Sequence, residues 1–234
     1  MTDQIPGAAA DAAWQPLEPL EARVIGVLVE KERTVPDTYP LSLNALVAGC
    51  NQKNNRDPVI QVGEGDVTAA IDALKSRTLV IESSGARVAR YTHNLGRVLR
   101  VPDQAVALLA TLMLRGAQTA AELRVATERM HRFADASAVE GFLDELRERP
   151  PERGGPLVVL LPRRPGEREP RWAHLLSGPV AHAEVTGAAP VVVAAPSDGG
   201  AALRERVERL AEEVAQLRLA MERIEHQMRG TDRS

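Results

Sequence analysis

The amino-acid sequence predicts a mainly helical α+β protein with two similar halves and a separate C-terminal helix. Three observations carry this prediction. Apolar residues recur at helical spacing within each half, two β-prone runs joined by turn residues close each half, and a heptad pattern occupies the end of the chain. Because the same order of elements occurs twice, we predict two small domains rather than one large domain.

The composition limits both the core and the class of ligand. Hydrophobic residues make up 44% of the 234 positions, but only two Phe, two Tyr and two Trp occur, so the cores must be aliphatic. A formal charge of −3 argues against coating nucleic acid by bulk electrostatics, so any such contact must be local. The single cysteine, Cys50, excludes an internal disulfide and a cysteine-based zinc cluster. Since no apolar run is long enough for a membrane helix, we expect a cytoplasmic protein.

The first half is predicted to contain three helices followed by a hairpin, from its caps and apolar spacing. In chain order, we predict a helix from Pro19 to Glu32, a helix capped by Ser42, a short strand over 58–62, a helix capped by Asp66, and strands over 79–83 and 87–93. This is the order of a winged-helix domain, whose second and third helices form a helix-turn-helix. The link between those two helices is longer than the motif usually has.

The second half repeats this order. An almost wholly apolar helix over 103–114 precedes two helices whose starts, Thr119 with Glu122 and Ser137 with Glu140, have capping-box spacing. Strands are predicted over 156–161 and 171–176. A short echo supports the duplication, because Arg90-Tyr91-Thr92-His93 and Arg171-Trp172-Ala173-His174 close the two predicted hairpins. The sequence therefore predicts tandem winged-helix domains.

The segments outside these domains are predicted from composition and periodicity. We predict a disordered tail over 1–16, winged-helix domains over 17–100 and 101–178, a flexible linker over 179–202, a coiled-coil helix over 203–229 and a tail over 230–234. β-branched residues at two heptad a positions and mostly leucine at d favour a parallel homodimer, with packing of this helix on its own chain as the alternative. The heptad positions are Leu203, Val207, Leu210, Val214, Leu217, Met221, Ile224 and Met228.

No segment has the spacing of a known catalytic or cofactor-binding motif. The chain lacks a Gly-rich phosphate loop, a nucleophile elbow and paired histidines at ligand spacing on a helix. We therefore expect a protein that is not an enzyme and uses no cofactor or metal. Cys50 lies on a predicted buried helix face, and His93 and His174 are interpreted as polar groups that finish strands. Tyr91 and Trp172 are interpreted as residues that pack the hairpins on the domain bodies.

Binding to duplex DNA is the leading functional hypothesis, because cations in the loops and hairpins of winged-helix domains commonly contact phosphates. The candidate contacts to nucleic acid or a partner are Lys53, Asn54, Asn55, Arg56, Lys75, Arg87, Arg90, Arg163, Arg164 and Arg168. The third helix of the first half is nearly neutral on its predicted outer face, however, and that of the second half is acidic. Acidic residues repel phosphate, so the alternative is a scaffold that binds proteins through its winged-helix surfaces.

The sequence also resembles a known family, the YceH-like bacterial proteins. The matching segments are Glu21-Ala22-Arg23-Val24, Glu30-Lys31-Glu32, Pro36-Asp37, Tyr39 through Leu46, Cys50-Asn51-Gln52-Lys53, Leu114-Arg115-Gly116, Gln118-Thr119, Glu122-Leu123-Arg124, Leu161-Pro162-Arg163, Pro165-Gly166, Arg168-Glu169 and His174-Leu175. They cover about residues 17 to 178. Ala117 and Trp172 depart from the family pattern, where proline and tyrosine are expected. The resemblance implies two tandem winged-helix domains and implies no active site.

Overall fold

The computed structural model describes residues 14–83, 88–163 and 166–180, which all belong to one compact unit. This part of the chain is a mixed α+β structure that is mainly helical. The helices are α1 (Pro19–Thr34), α2 (Leu43–Cys50), α3 (Glu64–Ser76), α4 (Leu95–Leu99), α5 (Asp103–Arg115), α6 (Ala120–Thr127) and α7 (Ala136–Arg147). The strands β1 (Val80–Ser83) and β2 (Arg90–His93) form one antiparallel sheet, and β3 (Val158–Leu161) and β4 (Arg171–His174) form another. Short 3₁₀ turns occupy Pro36–Thr38 and Pro151–Arg153.

A single hydrophobic cluster contains buried residues from both halves. The helices α1 and α5, which begin the two halves, pack along each other, and both are buried over most of their length. Gly26 permits their close approach, because a Cβ atom there would lie 2.8 Å from Cγ of Leu114. The predicted division of the chain into two domains stays a prediction, but its two halves share this core.

The two halves repeat each other in hydrogen bonding as well as in element order. Val80 pairs with His93 in the first sheet, and Val158 pairs with His174 in the second. In each half the residue before the N-cap of the second helix bonds to the middle of the last strand, Leu41 to Tyr91 and Gln118 to Trp172. The sequence echo is therefore confirmed as an equivalence of β2 with β4.

Two of the predicted helix starts are confirmed. The Ser42 hydroxyl accepts a hydrogen bond from the Ala45 N–H at the start of α2. Thr119 and Glu122 cap α6 reciprocally, because the Thr119 hydroxyl accepts from the Glu122 N–H while the Glu122 carboxylate accepts from the Thr119 N–H.

Other sequence predictions are wrong in detail. Helix α3 begins before Asp66, whose carboxylate instead accepts the Gly63 N–H from inside the first turn. Asp135 caps α7 in place of Ser137, because the Asp135 carboxylate accepts the Ala138 N–H at 2.9 Å. Residues 58–62 form no strand, since the amide of Asn51 takes both hydrogen bonds of the Val62 backbone. The five-residue helix α4 carries too short a pattern to be predicted.

The described residues do not include 1–13 of the predicted tail over 1–16 or 181–202 of the predicted linker over 179–202. They also exclude the predicted coiled-coil helix over 203–229 and the predicted tail over 230–234. The same is true of Arg87 and Arg164. None of the described helices has both the length and the apolar character needed to cross a bilayer.

Candidate functional site

The long link between α2 and α3, residues 51–63, is held from inside by Arg56. Its side chain is 0% exposed and forms a two-pronged ion pair with Glu30 of α1, with Nη1–Oε1 at 3.1 Å and Nη2–Oε2 at 2.7 Å. Its remaining hydrogen bonds go to the Gly49 and Asn55 carbonyls and to Oε1 of Gln52. The guanidinium thus ties the link to α1 and to the last turn of α2.

The same pair fixes the charge state of Glu30. Burial alone raises the pKa of this carboxyl, but the hydrogen bonds and positive charge of Arg56, together with Lys31, outweigh burial and lower the pKa below its ordinary value. Glu30 is therefore ionised at neutral pH. Its negative charge is compensated by Arg56 from the interior side, so little of it acts on the surface above.

A second buried arginine braces the other end of the link. Arg23 of α1 is 3% exposed and donates to the Pro58 carbonyl at 2.6 Å and to the Cys50 carbonyl at 3.4 Å. The Asp57 N–H donates to the Leu114 carbonyl at 2.8 Å, which brings the link against the C-terminal end of α5. The polar residues of this segment therefore hold backbone groups around an irregular connection.

A cleft of about 330 Å³ opens above this braced link. Its walls come from the C-terminal end of α1, the link itself, the end of α5, and the end of α6 with the turn after it. The lining residues are Glu30, Lys31, Thr34, Gln52, Lys53, Asn54, Asn55, Thr111, Leu114, Arg115, Ala126, Arg129 and Met130. Four of these are cationic and one is acidic, and the acidic one, Glu30, is the partner of Arg56. The cleft therefore presents a concentrated positive charge in a protein whose net charge is −3.

Arg115 is less exposed than Lys53 and Arg129, the other two cations of this cleft without an ion pair among the described residues. Within the described ranges, no hydrogen bond or ion pair joins its guanidinium to another side chain, whereas Lys31 pairs with Glu30 at 3.2 Å. Partial burial lowers the pKa of Arg115, with Glu30 raising it and Arg56 lowering it. Arg115 remains charged at any physiological pH, so a half-buried cation with no ion-pair partner among the described residues lines the cleft.

The structure divides the ten sequence-predicted contact residues into four groups. Lys53, Asn54, Asn55, Arg163 and Arg168 are exposed. Lys75 and Arg90 are exposed but engaged, Lys75 with Glu82 and Asp72, and Arg90 with the Pro40 carbonyl. The prediction that Arg56 contacts a partner is wrong, because its guanidinium is buried and is not accessible to a partner. Arg87 and Arg164 fall outside the described residues.

Sequence reasoning missed three of the four cleft cations, Lys31, Arg115 and Arg129. They lie on different elements and far apart in the chain, so no local spacing joins them. The available signal was positional, since Lys31 and Arg115 each fall in the last turn of a helix beginning a half. Only the packing of α1 on α5 brings those two ends together.

The interpretations of the remaining polar and aromatic residues agree with the structure. Cys50 is 0% exposed, and burial raises the pKa of its thiol to about 11, as expected of a core residue. Tyr91 and Trp172 are buried in the core cluster. His93 finishes β2 and contacts Glu32 at 2.9 Å, and His174 finishes β4 with Nδ1 buried and unbonded. Among the described residues no cluster of three or more His, Cys, Asp or Glu is placed to hold a metal.

These features define a class: a mixed α+β, mainly helical protein with a duplicated helix-and-hairpin unit and a cationic cleft between the first helices of its halves. A family model described as "Protein of unknown function, DUF480" matches residues 17–167. The chain belongs to this family, which agrees with the YceH-like resemblance of the sequence.

Three relatives, all called UPF0502 proteins, match over nearly their whole length. The chain is 56% identical to that of Acidovorax sp. (strain JS42), over 93% of this chain and 96% of the relative. It is 60% identical to that of Leptothrix cholodnii, over 89% and 93% respectively. The identity to the relative from Burkholderia multivorans is 56%, over 94% and 92%.

Proposed function

We propose that each half is a winged-helix domain and that the protein is a non-enzymatic, regulatory DNA-binding protein. The order of helices and hairpin in each half supports the fold, together with the equivalent Leu41–Tyr91 and Gln118–Trp172 bridges. In winged-helix domains the hairpin touches the DNA backbone while a helix enters a groove. Because a fold alone does not establish a function, DNA binding is inferred from the surface charges.

The observation that carries DNA binding is the second hairpin. Arg163 and Arg168 lie in the connection between β3 and β4, are exposed, and have no ion-pair partner within the described part of the chain. The nearby Glu167 is engaged with Arg171. Exposed arginines in a hairpin connection fit phosphate contacts, which supply affinity without reading sequence. Lys53 adds a further exposed cation on the link.

The experiment is fluorescence anisotropy of a labelled random duplex pool across a salt series. In a plot of the logarithm of the association constant against the logarithm of the salt concentration, each phosphate contact should add about −0.9 to the slope. Arg163→Ala and Arg168→Ala should each reduce the magnitude of that slope by about 1. Arg97→Ala, at an exposed arginine on α4, is the matched control and should leave it unchanged. Absence of binding at low salt would refute DNA binding.

A protein-binding scaffold is the second candidate, favoured by the outer face of α7. Glu140 and Glu145 are exposed on this helix, and Glu148 is exposed directly after it. In a winged-helix domain this helix would face a DNA groove. A pull-down from native lysate with wild-type protein and with Glu140→Lys/Glu145→Lys distinguishes the candidates. A protein partner lost in the variant, with no duplex binding by the wild type, would establish the scaffold.

We also propose self-association through the heptad positions Leu203 to Met228 as a homodimer. The support is the uninterrupted alternation of four- and three-residue steps between apolar positions. Sedimentation of a protein ending at Gly178 should show a smaller oligomer than the full chain. The same oligomeric state in both would refute the coiled coil.

A further inference from the structure

We propose that the cationic cleft between α1, α5 and the 51–63 link is a binding site for a small phosphate ester. This inference does not rest on DNA binding, because Arg163 and Arg168, which carry that proposal, do not line the cleft; Lys53 is the cation that the two proposals share. Its volume of about 330 Å³ lies at the lower end of the range for small-molecule sites, about 300 to 1,000 Å³.

The charge of the cleft selects an anion. Lys31, Lys53, Arg115 and Arg129 contribute four positive charges against the single negative charge of Glu30, a net charge of +3 for the lining. Arg56 then neutralises Glu30 from behind, through bonds of 2.7 and 3.1 Å to both carboxylate oxygens. A monovalent anion leaves most of this charge uncompensated, whereas a phosphate group carries nearly two charges and several acceptor oxygens.

The donors suit phosphate in chemical type as well as in charge. Arg115 and Arg129 each supply a planar fork of N–H groups that matches two phosphate oxygens, and Lys53 supplies a point charge. Asn54 and Asn55 also line the cleft, and an asparagine side-chain amide can supply neutral donors. The half-buried position of Arg115 makes its bond to an anion stronger than one formed at an open surface.

The remaining wall suits an organic group. Leu114, Ala126 and Met130 line the cleft beside the cations, so an apolar substituent on the phosphate would be removed from water there. A binding site that combines a phosphate-sized cationic end with an apolar side favours a phosphate ester over inorganic phosphate. Because the walls come from both halves of the chain, such a ligand would also connect α1 and the link to α5 and the turn after α6.

The test is calorimetric titration of the full-length protein in about 150 mM NaCl, where weak surface association of ions is screened. Phenyl phosphate and inorganic phosphate are the two probes, with sodium sulfate at matched ionic strength as the reference anion. We expect phenyl phosphate to bind at least tenfold more tightly than inorganic phosphate, and sulfate to bind no better than inorganic phosphate. Arg115→Gln and Arg129→Gln should each weaken phenyl phosphate at least tenfold, as loss of a charge-assisted bond predicts.

Two controls keep this test decisive. Arg97→Gln removes an arginine of the same charge outside the cleft and should change the affinity less than twofold. Lys53 lies on the exposed link, so Lys53→Gln should leave the melting curve unchanged. A loss of phenyl phosphate affinity in this variant is then an effect on binding and not on folding. Absence of phenyl phosphate binding up to 10 mM (about 100-fold weaker than a typical metabolite site), or equal losses in Arg97→Gln and Arg115→Gln, would overturn the inference. Displacement of the probe by a duplex whose binding needs Arg115 would also overturn it, by assigning the cleft to nucleic acid.

Discussion

Substitution of Arg56 by alanine should destabilise the fold rather than weaken a surface contact. The variant loses six hydrogen bonds, two of them to the Glu30 carboxylate. The Glu30 side chain is only 15% exposed, so its charge would stay mostly buried after the loss of Arg56. Removing one partner of a buried ion pair costs about 3 to 5 kcal/mol, because the other charge stays desolvated. We therefore expect the free energy of unfolding to fall by that amount at pH 7.

The assay is urea denaturation followed by far-UV circular dichroism, with the slope checked for constancy. Arg56→Lys retains the charge without the two-pronged geometry and should lose less than Arg56→Ala. The neighbouring Lys53→Ala is the matched control, since an exposed, unpaired side chain should change the free energy by no more than about 0.5 kcal/mol. In the double variant Arg56→Ala/Glu30→Ala, the loss should be smaller than the sum of the two single losses.

The pH dependence of the same variants gives an independent check. The pKa of Glu30 is lower in the folded protein than in the unfolded chain. The stabilisation by the ion pair is therefore fully present above the ordinary carboxyl pKa of 4.5 and is lost as the pH falls through the lower folded pKa. The difference in stability between wild type and Arg56→Ala should therefore be constant at neutral pH and shrink in acid. A loss below about 1 kcal/mol at pH 7 would refute the structural role of Arg56.

Two further predictions concern packing and titration. Gly26→Ala should destabilise by about 1 to 3 kcal/mol, because its Cβ would lie 2.8 Å from Leu114. Gly141→Ala, in α7 with nothing within 4 Å of its Cβ, should stabilise by about 0.5 to 1 kcal/mol; equal effects in the two variants would contradict the close α1–α5 approach. Burial lowers the pKa of His174 from 6.5 to about 4, so the unfolded chain binds a proton before the folded one as the pH falls. Stability should decline by about 3 kcal/mol between those values, and His174→Gln should lack this part of the decline when both are unfolded in urea across pH 4 to 7.

The sequence predicts an element well where the residues that form its pattern are also the residues that contact one another in the structure. The Thr119–Glu122 capping box and the apolar face of α2 are examples, because the residues that interact are within one or two turns of each other. The predicted N-caps Asp66 and Ser137 are wrong for α3 and α7, since several residues near a helix start can satisfy the free N–H groups. The choice between them depends on backbone geometry that the pattern does not contain.

The candidate site was predictable only in part. Lys53, Asn54 and Asn55 were identified from the composition of the link, and the structure places them at the rim of the cleft. Arg56 has the same chemistry and adjoins them in sequence, yet it points inward, because Glu30 on α1 and the Gly49 carbonyl lie beneath it. Arg115 enters the site through the packing of α1 on α5, and Arg129 lies in the turn after α6. No local pattern encodes these long-range contacts.

The most direct test of the proposed function is amide hydrogen exchange of the full-length protein with and without a saturating duplex at low salt. Exchange reports where a ligand protects the backbone. The hairpin between β3 and β4 and residues 52–55 should exchange more slowly in the complex, while the acidic α7 should be unchanged. Protection on α7 with none on the hairpin, or identical exchange with and without the duplex, would contradict the assignment of DNA contacts to the hairpin arginines and Lys53.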